Sequence, residues 1–381
     1  MTGDTVAVRR FVTLVVTAGL LFSAGPAPAR AQPSPSPGTA ATPGATPAET
    51  VCEFDARTAE LSGLVATGSG YVAVNDSNDD PAAIRVFFFD RGCRLTRTVG
   101  YPSTARDPED LAVAPDGTLW VADIGDNLTN AAADRRRTVA LWKLPPGART
   151  PVIHRLTYPD GPHDAEALVL DGAGTPVIVT KEPFGAAGIY APNGALQPDT
   201  ATGTPLRRAG TFTPRRTGTP NFLGSAGEAM VTGGANAPDG ARVALRTYAD
   251  AYEWDVPDGD VVKAITTGTP RVTPLPEEPQ GESIAYSRDG TSLLTVSDQS
   301  GPAPLLRYPA TRPGPAARPT AGPTAPGAAA ATRSGAAAAP RSPAQARYLI
   351  GAAGALGLAL VAAGVVAIGR SRRSRRGSPA P

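Results

Sequence analysis

Five segments of the chain repeat one pattern, and that repeat restricts the fold more than any other feature of the sequence. They are SGLVATGSGYVAVNDSNDD from Ser62, EDLAVAPDGTLWVADIGDN from Glu109, EALVLDGAGTPVIVTKEP from Glu166, TGGANAPDGARVALRTYAD from Thr232 and ESIAYSRDGTSLLTVSDQS from Glu282. Each consists of an alternating apolar run, a Gly-containing turn and a second alternating run, the signature of a β-hairpin. The turns Asp116-Gly117, Asp239-Gly240 and Asp289-Gly290 fall at one offset. A third strand follows each hairpin (AIRVFFF from Ala83, TVALWKL from Thr138, GIYAP from Gly188, YEWDV from Tyr252, PLLRYP from Pro304), and a fourth follows most of them. The units start 47, 57, 66 and 50 residues apart, at Ser62, Glu109, Glu166, Thr232 and Glu282. Four antiparallel strands per unit at that spacing predict an all-β fold, a β-propeller of five four-stranded blades, or six if the 66-residue interval hides a degenerate one. The fifth unit lacks a fourth strand, which VCEFD at residues 51–55 can supply to close the ring. Trp120, Trp142 and Trp254 occupy strand positions and are expected to pack between blades.

The flanking segments read differently. Residues 1–31 form a signal peptide: FVTLVVTAGLLFSA follows a short basic stretch and precedes a small-x-small cleavage site ending at Ala31. The pair Arg9-Arg10 hints at twin-arginine export, but Phe11 follows it directly and no Ser or Thr precedes it, so general secretion is favoured. Residues 32–50 are a Pro/Ser/Thr-rich linker, 51–308 the propeller and 309–347 a Pro/Ala-rich stalk. Residues 348–369 carry no charge and span roughly 33 Å as a helix, enough to cross the lipid bilayer. The Arg-rich tail at 370–381 sets a cytoplasmic C-terminus. The expectation is a single-pass plasma-membrane protein with its propeller outside. On that oxidising side Cys52 and Cys93 are expected to form one disulfide. The chain's net charge is +2, yet residues 51–308 alone carry −9, which argues against nucleic acid as a partner.

The stretch LAVAPDGTLWVADIGDN (residues 111–127) resembles the NHL repeat of secreted bacterial propellers, with an inner strand, an Asp-Gly turn, a second strand and an Asp-containing loop. Glu109, Glu166 and Glu282, each just before an inner strand, are placed similarly in the "esterase-like activity of phytase" propellers. A weaker likeness is to the gluconolactonase-like family, and it implies a metal in the central channel. The resemblance covers about 250 residues and implies a fold more than an activity.

Residues just before inner strands sit at the mouth of the channel. Glu109, Glu166 and Glu282 are therefore candidate catalytic groups, with Asp110, Asp164 and Glu228 as funnel neighbours. Clustered carboxylates repel and need a cation, ordered water or raised pKa values. Three functions suit them: a Ca²⁺ or other hard-metal site, an acid/base pair for glycoside or phosphoester hydrolysis, or recognition of a polar ligand. The plainer account is that each Glu caps a strand or pairs with an Arg. Ser62 and Thr232 stand at the Glu position in the first and fourth units, so the ring of carboxylates is incomplete. In the loop after the second strand, Asp76, Asp79 and Asp80 align with Asp123, Asp126 and Asn127, with Asp298 nearly equivalent. Such oxygens suit Ca²⁺, the one candidate cofactor, or simply form turns. His163 is the one plausible catalytic histidine, and His154 is expected to be structural. No G-x-S-x-G, H-E-x-x-H, C-x-x-C or P-loop motif occurs. These absences favour a surface-tethered module binding an extracellular ligand or protein. The alternative is a metal-dependent hydrolase of the phytase-like or lactonase-like kind using the funnel carboxylates.

Overall fold

The computed structural model describes residues 48–76, 78, 80–126 and 135–311. The expected signal peptide, membrane segment and tail, most of the linker and nearly all of the stalk lie outside the described residues. Among the described residues no helix is long and apolar enough to cross a membrane.

The chain enters through β1 (Glu49–Glu53) and then makes five antiparallel units. The first contains β2 (Leu61–Ala66), β3 (Gly70–Asn75), β4 (Val86–Asp90) and β5 (Leu95–Val99). The second contains β6 (Pro108–Val113), β7 (Leu119–Asp123), β8 (Val139–Leu144) and β9 (Val152–Thr157). The third contains β10 (Ala165–Leu170), β11 (Pro176–Thr180), β12 (Ala187–Pro192) and β13 (Thr204–Phe212). The fourth contains β14 (Val231–Asn236), β15 (Arg242–Thr247), β16 (Asp250–Asp255) and β17 (Arg271–Pro274), with a short helix α1 (Val261–Thr267) before its last strand. The fifth contains β18 (Gly281–Tyr286), β19 (Ser292–Ser297) and β20 (Pro304–Pro309), and β1 supplies its fourth strand by pairing antiparallel with β20. The inner strands β2, β6, β10, β14 and β18 each neighbour the next, and β18 returns to β2. The molecule is a β-propeller. Units two and three also join at their outer edges through a two-residue parallel pairing of β13 with β9.

The Asp-Gly turns form as their chemistry requires. Gly117, Gly240 and Gly290 take positive φ, and Asp116, Asp239 and Asp289 each accept a backbone N–H two residues on. The 66-residue interval holds no sixth unit. Its extra length goes into the nine-residue β13 and a loop at 213–230.

The core is divided among the interfaces between consecutive units. Trp142 is packed between units one and two, Trp120 between two and three, and Trp254 between three and four. Phe54 packs with Leu64 and Phe89 against Val296 and Leu305, sealing unit five to unit one. The Cys52–Cys93 disulfide forms across the same seam, linking β1 to the turn after β4. Closing a loop of that length restricts the unfolded chain by about 4 kcal/mol in the chain-entropy account.

Each inner strand begins with a β-bulge. The register slips between Leu61 and Gly63, Pro108 and Asp110, Ala165 and Ala167, Val231 and Gly233, and Gly281 and Ser283. The residue left over in each unit is Ser62, Glu109, Glu166, Thr232 or Glu282. A bulge re-aims the side chain it carries. Here the same device acts five times on the equivalent residue.

Candidate functional site

The bulged residues form one ring at the mouth of the channel. Ser62 and Thr232 tie neighbouring units together: Ser62 Oγ donates to the Glu109 carbonyl at 2.6 Å, and Thr232 Oγ1 to the Gly281 carbonyl at 2.9 Å. The three Glu side chains are buried. A second ring follows the second strand of each unit. Asp76, Lys181 and Asp298 donate their backbone N–H to the carbonyls of Glu60, Asp164 and Gln280, and Tyr248 follows β15 as Lys181 follows β11. In unit two Gly125 takes this place, donating to the Asp107 carbonyl. A Cβ there would collide with Glu109 Oε1 and Asp107 Oδ2, so the glycine leaves the room those carboxylates occupy.

Together the rings gather seven carboxylates into three overlapping sets. Asp76, Glu282 and Asp298 form one; Asp76, Asp107 and Glu109 the next; Glu109, Asp164 and Glu166 the third. Within each set one oxygen per residue lies within 4.8 Å of the others. A cation 2.3–2.6 Å from each of two oxygens holds them no more than about 5 Å apart, so the spacing fits. Asp107 Oδ1, Glu166 Oε2, Glu282 Oε2 and Asp298 Oδ1 are buried without a hydrogen-bond partner. Orphaned acceptors and an all-oxygen donor set suit a hard divalent cation such as Ca²⁺.

The crescent ends at a basic group. Lys181 Nζ is hydrogen-bonded to Glu166 Oε1 and lies 5.2 Å from the centre of the Tyr248 ring. Tyr248 OH donates to Glu282 Oε1 at 3.3 Å. Burial works against the Lys181 charge, but Glu166 outweighs it and raises the pKa, so the ammonium persists. The carboxylates shift the other way. Burial, with Asp76 adjacent, pushes Asp107 up to about 8. Burial and the Glu282 charge push Asp298 up to about 7. Glu109, Glu166, Glu282 and Asp164 are also raised, burial being the largest cause in each.

These shifts fix a pH dependence. Folded Asp107 and Asp298 hold protons that the unfolded chain releases near pH 4, so the metal-free protein loses stability as pH rises from about 4 to about 8. The slope is about 1.4 kcal/mol per pH unit for each proton held. Saturating Ca²⁺ is expected to abolish this fall, because binding needs the deprotonated ligands. Denaturation midpoints across that pH range, with and without Ca²⁺, check it.

Several sequence expectations find other settings. Asp123 pairs with Pro108 in register, as Asn75 does with Leu61, so Asp76 is matched by Gly125 rather than Asp123. The turn between β6 and β7 is one residue longer than that between β2 and β3, and Ile124 adds another. Asp123 is buried 2.7 Å from Arg136 and accepts from Trp142 Nε1. Asp126 pairs with Arg135, and its own N–H donates to Asp164. Asp80 caps a turn through the Ala82 N–H, and Glu228 accepts from Gly218 within the 213–230 loop. Asp110 is not a funnel group: its carboxylate is fully buried and accepts the N–H groups of Leu111, Leu168 and Gly234. His163 belongs to none of the carboxylate sets; its Nε2 is 3.0 Å from both Asp160 and Tyr190 OH. Asp79 and Asn127 lie outside the described residues. Sequence reasoning missed Asp107, Lys181 and Tyr248. The position two residues before each bulge, shared by Asp107 and Asp164, was the available signal for the first.

A cavity of about 860 Å³ opens on the opposite face, among the hairpin turns. Its acidic groups, Asp171 and Asp239, are held in those turns by backbone N–H groups. The clustered carboxylates and their unpartnered oxygens lie at the other mouth.

No protein family model and no curated protein matches the chain. Among solved structures it is similar to a gluconolactonase from Xanthomonas campestris, at 16% identity over 65% of this chain and 72% of that one, with a TM-score of 0.38. It is also similar to the apo form of a soluble aldose sugar dehydrogenase from Escherichia coli, at 12% identity over 69% and 99% of the two chains, TM-score 0.36. The binding-module expectation is corrected here. The axis carries buried carboxylates with raised pKa values, orphaned oxygens and an adjacent ammonium, which are groups that hold metals and move protons.

Proposed function

We propose that this propeller is a metal-dependent hydrolase of the lactonase-like kind, acting on uncharged esters or lactones. One observation carries the reading: seven carboxylates line the mouth, four of their oxygens lack hydrogen-bond partners, and Lys181 is hydrogen-bonded to Glu166 among them. The neighbouring guanidiniums Arg136 and Arg135 are committed to Asp123 and Asp126. A phosphoester dianion entering this field is repelled, whereas a neutral acyl group is not. That favours ester or lactone over phosphoester.

Asp76, common to two of the sets, would hold the cation together with Asp107 and Glu109 or with Glu282 and Asp298. When bound, it supplies Lewis acidity toward a carbonyl and lowers the pKa of water. Glu166 keeps Oε2 unpartnered and has a raised pKa, which suits it to take a proton from the attacking water. Water oxygen bonds to the acyl carbon, the acyl C–O bond breaks, and the proton passes from Glu166 to the leaving alkoxide. Lys181 supplies positive charge where the carbonyl oxygen turns negative.

The test is turnover of neutral lactones and esters, and separately of phosphomonoesters, by the protein with Ca²⁺, Mn²⁺ or Zn²⁺. Turnover of the neutral substrates that disappears with chelator is expected. Phosphomonoester turnover without ester turnover would overturn the assignment. We also propose display at the outer face of a membrane, a reading supported by the residue pattern of 348–369 and by the Cys52–Cys93 disulfide, which suits an oxidising compartment. Protease shaving of intact cells tests it.

A further inference from the structure

The loop at 213–230 is longer than its counterparts and firmly tied. Thr217 and Thr219 hydroxyls donate to the two oxygens of Asp250 at 2.5 and 2.8 Å, and Gly218 N–H donates to Glu228 at 2.5 Å. Asn221 accepts the Leu223 N–H at 3.0 Å and donates to the Gly224 carbonyl at 3.0 Å, and the Glu277 N–H bonds to the Pro220 carbonyl. Yet this restrained loop holds Phe222 52% exposed and Leu223 41% exposed. The Phe222 ring meets Tyr248 edge-on, centroids 5.0 Å apart. Tyr248 is buried beneath it and reaches Glu282 through its hydroxyl and Lys181 through its ring. One aromatic ring therefore separates an exposed apolar surface from the reactive groups. Large apolar side chains held in water beside a charged site lose burial unless a ligand covers them.

We infer that Phe222 and Leu223 form the specificity platform of the funnel, so that the substrate is an ester or lactone bearing an apolar substituent, an alkyl chain or aryl ring. This rests on the hydrolase reading above. A carbonyl seated at the crescent places its substituent against this wall, and each methylene buried there strengthens binding by about fourfold. A polyhydroxylated lactone leaves the wall wet and gains nothing from it.

The experiment measures kcat/KM for γ- and δ-lactones of increasing alkyl length on the metal-loaded protein, and in parallel the Kd of the matching alkyl lactams, which are not hydrolysed. Both should improve with chain length, by up to about fourfold per methylene over the first few carbons. Phe222→Ala and Leu223→Ala should flatten both series. Val152→Ala, an exposed apolar change on the outer strand β9, should leave the slopes as they are. All three variants alter exposed side chains, and unchanged melting temperatures confirm that the fold is kept. Lactone turnover with flat series overturns the platform and keeps the hydrolase. Lactam binding that depends on Phe222 without lactone turnover keeps the platform and overturns the hydrolase. Absence of both turnover and lactam binding overturns both.

Discussion

Asp110→Ala is expected to cost the propeller about 3–5 kcal/mol, measured as a fall in urea midpoint with an unchanged slope. Asp110 Oδ2 accepts from Leu168 at 2.8 Å and from Gly234 at 3.0 Å, and Oδ1 accepts from Leu111 at 2.8 Å. Those donors belong to β6, β10 and β14, three adjacent inner strands. One carboxylate thus satisfies backbone groups from three units at the axis. A buried N–H stripped of its acceptor costs about 1–3 kcal/mol, and three are stripped together. The funnel carboxylates should behave oppositely. Asp298→Asn removes a charge whose neighbours repel it, so the metal-free protein should keep or gain stability. A loss below about 1 kcal/mol for Asp110→Ala would contradict its role as the hub.

The second large effect is catalytic. Glu166→Gln is expected to lower kcat on a neutral lactone by about 10²–10⁴-fold, the usual worth of a positioned acid/base group. Lys181→Met should lower it by about 10²–10³-fold, as loss of one oxyanion-stabilising group does. Because the two side chains are hydrogen-bonded and act as a unit, the double variant should be little worse than either alone. Lys181→Met has a further signature. It removes the charge that holds the Glu166 pKa down against burial, so the acid limb of the pH–rate profile moves to higher pH. Near wild-type turnover in Glu166→Gln would remove that residue from the chemistry.

Much of the architecture was legible in the sequence because its signals are local. Period-2 alternation, Asp-Gly turns and unit spacing report on single hairpins, and the strand near Cys52 follows from an unfilled edge in unit five. The site was legible in part. Glu109, Glu166 and Glu282 stand out by position, but what turns them inward is a register slip that depends on the partner strand. Spacing alone matched Asp76 with Asp123, since a longer turn and the inserted Ile124 in unit two leave no mark on composition. Lys181 and Tyr248 carry no motif. They matter because the repeat sets them where other units place Asp76 and Asp298, an equivalence visible only in the backbone hydrogen bond of Lys181 and the strand register before Tyr248. Adjacency to Glu109 suggests a funnel place for Asp110, yet consecutive residues after a bulge point different ways, and Asp110 turns into the axis beneath.

A hard divalent cation proposed to sit among the overlapping carboxylate sets at the propeller axis is revealed by a thermal melt of chelator-stripped protein titrated with Ca²⁺. At a hundred times its Kd the ion adds about 2.7 kcal/mol, roughly 5–10 °C for a domain of this size. Asp76→Asn breaks two of the three sets and should abolish the shift, while Asp80→Asn, a turn cap outside them, should leave it intact. A shift that survives Asp76→Asn, or no shift with any divalent cation, would contradict the account.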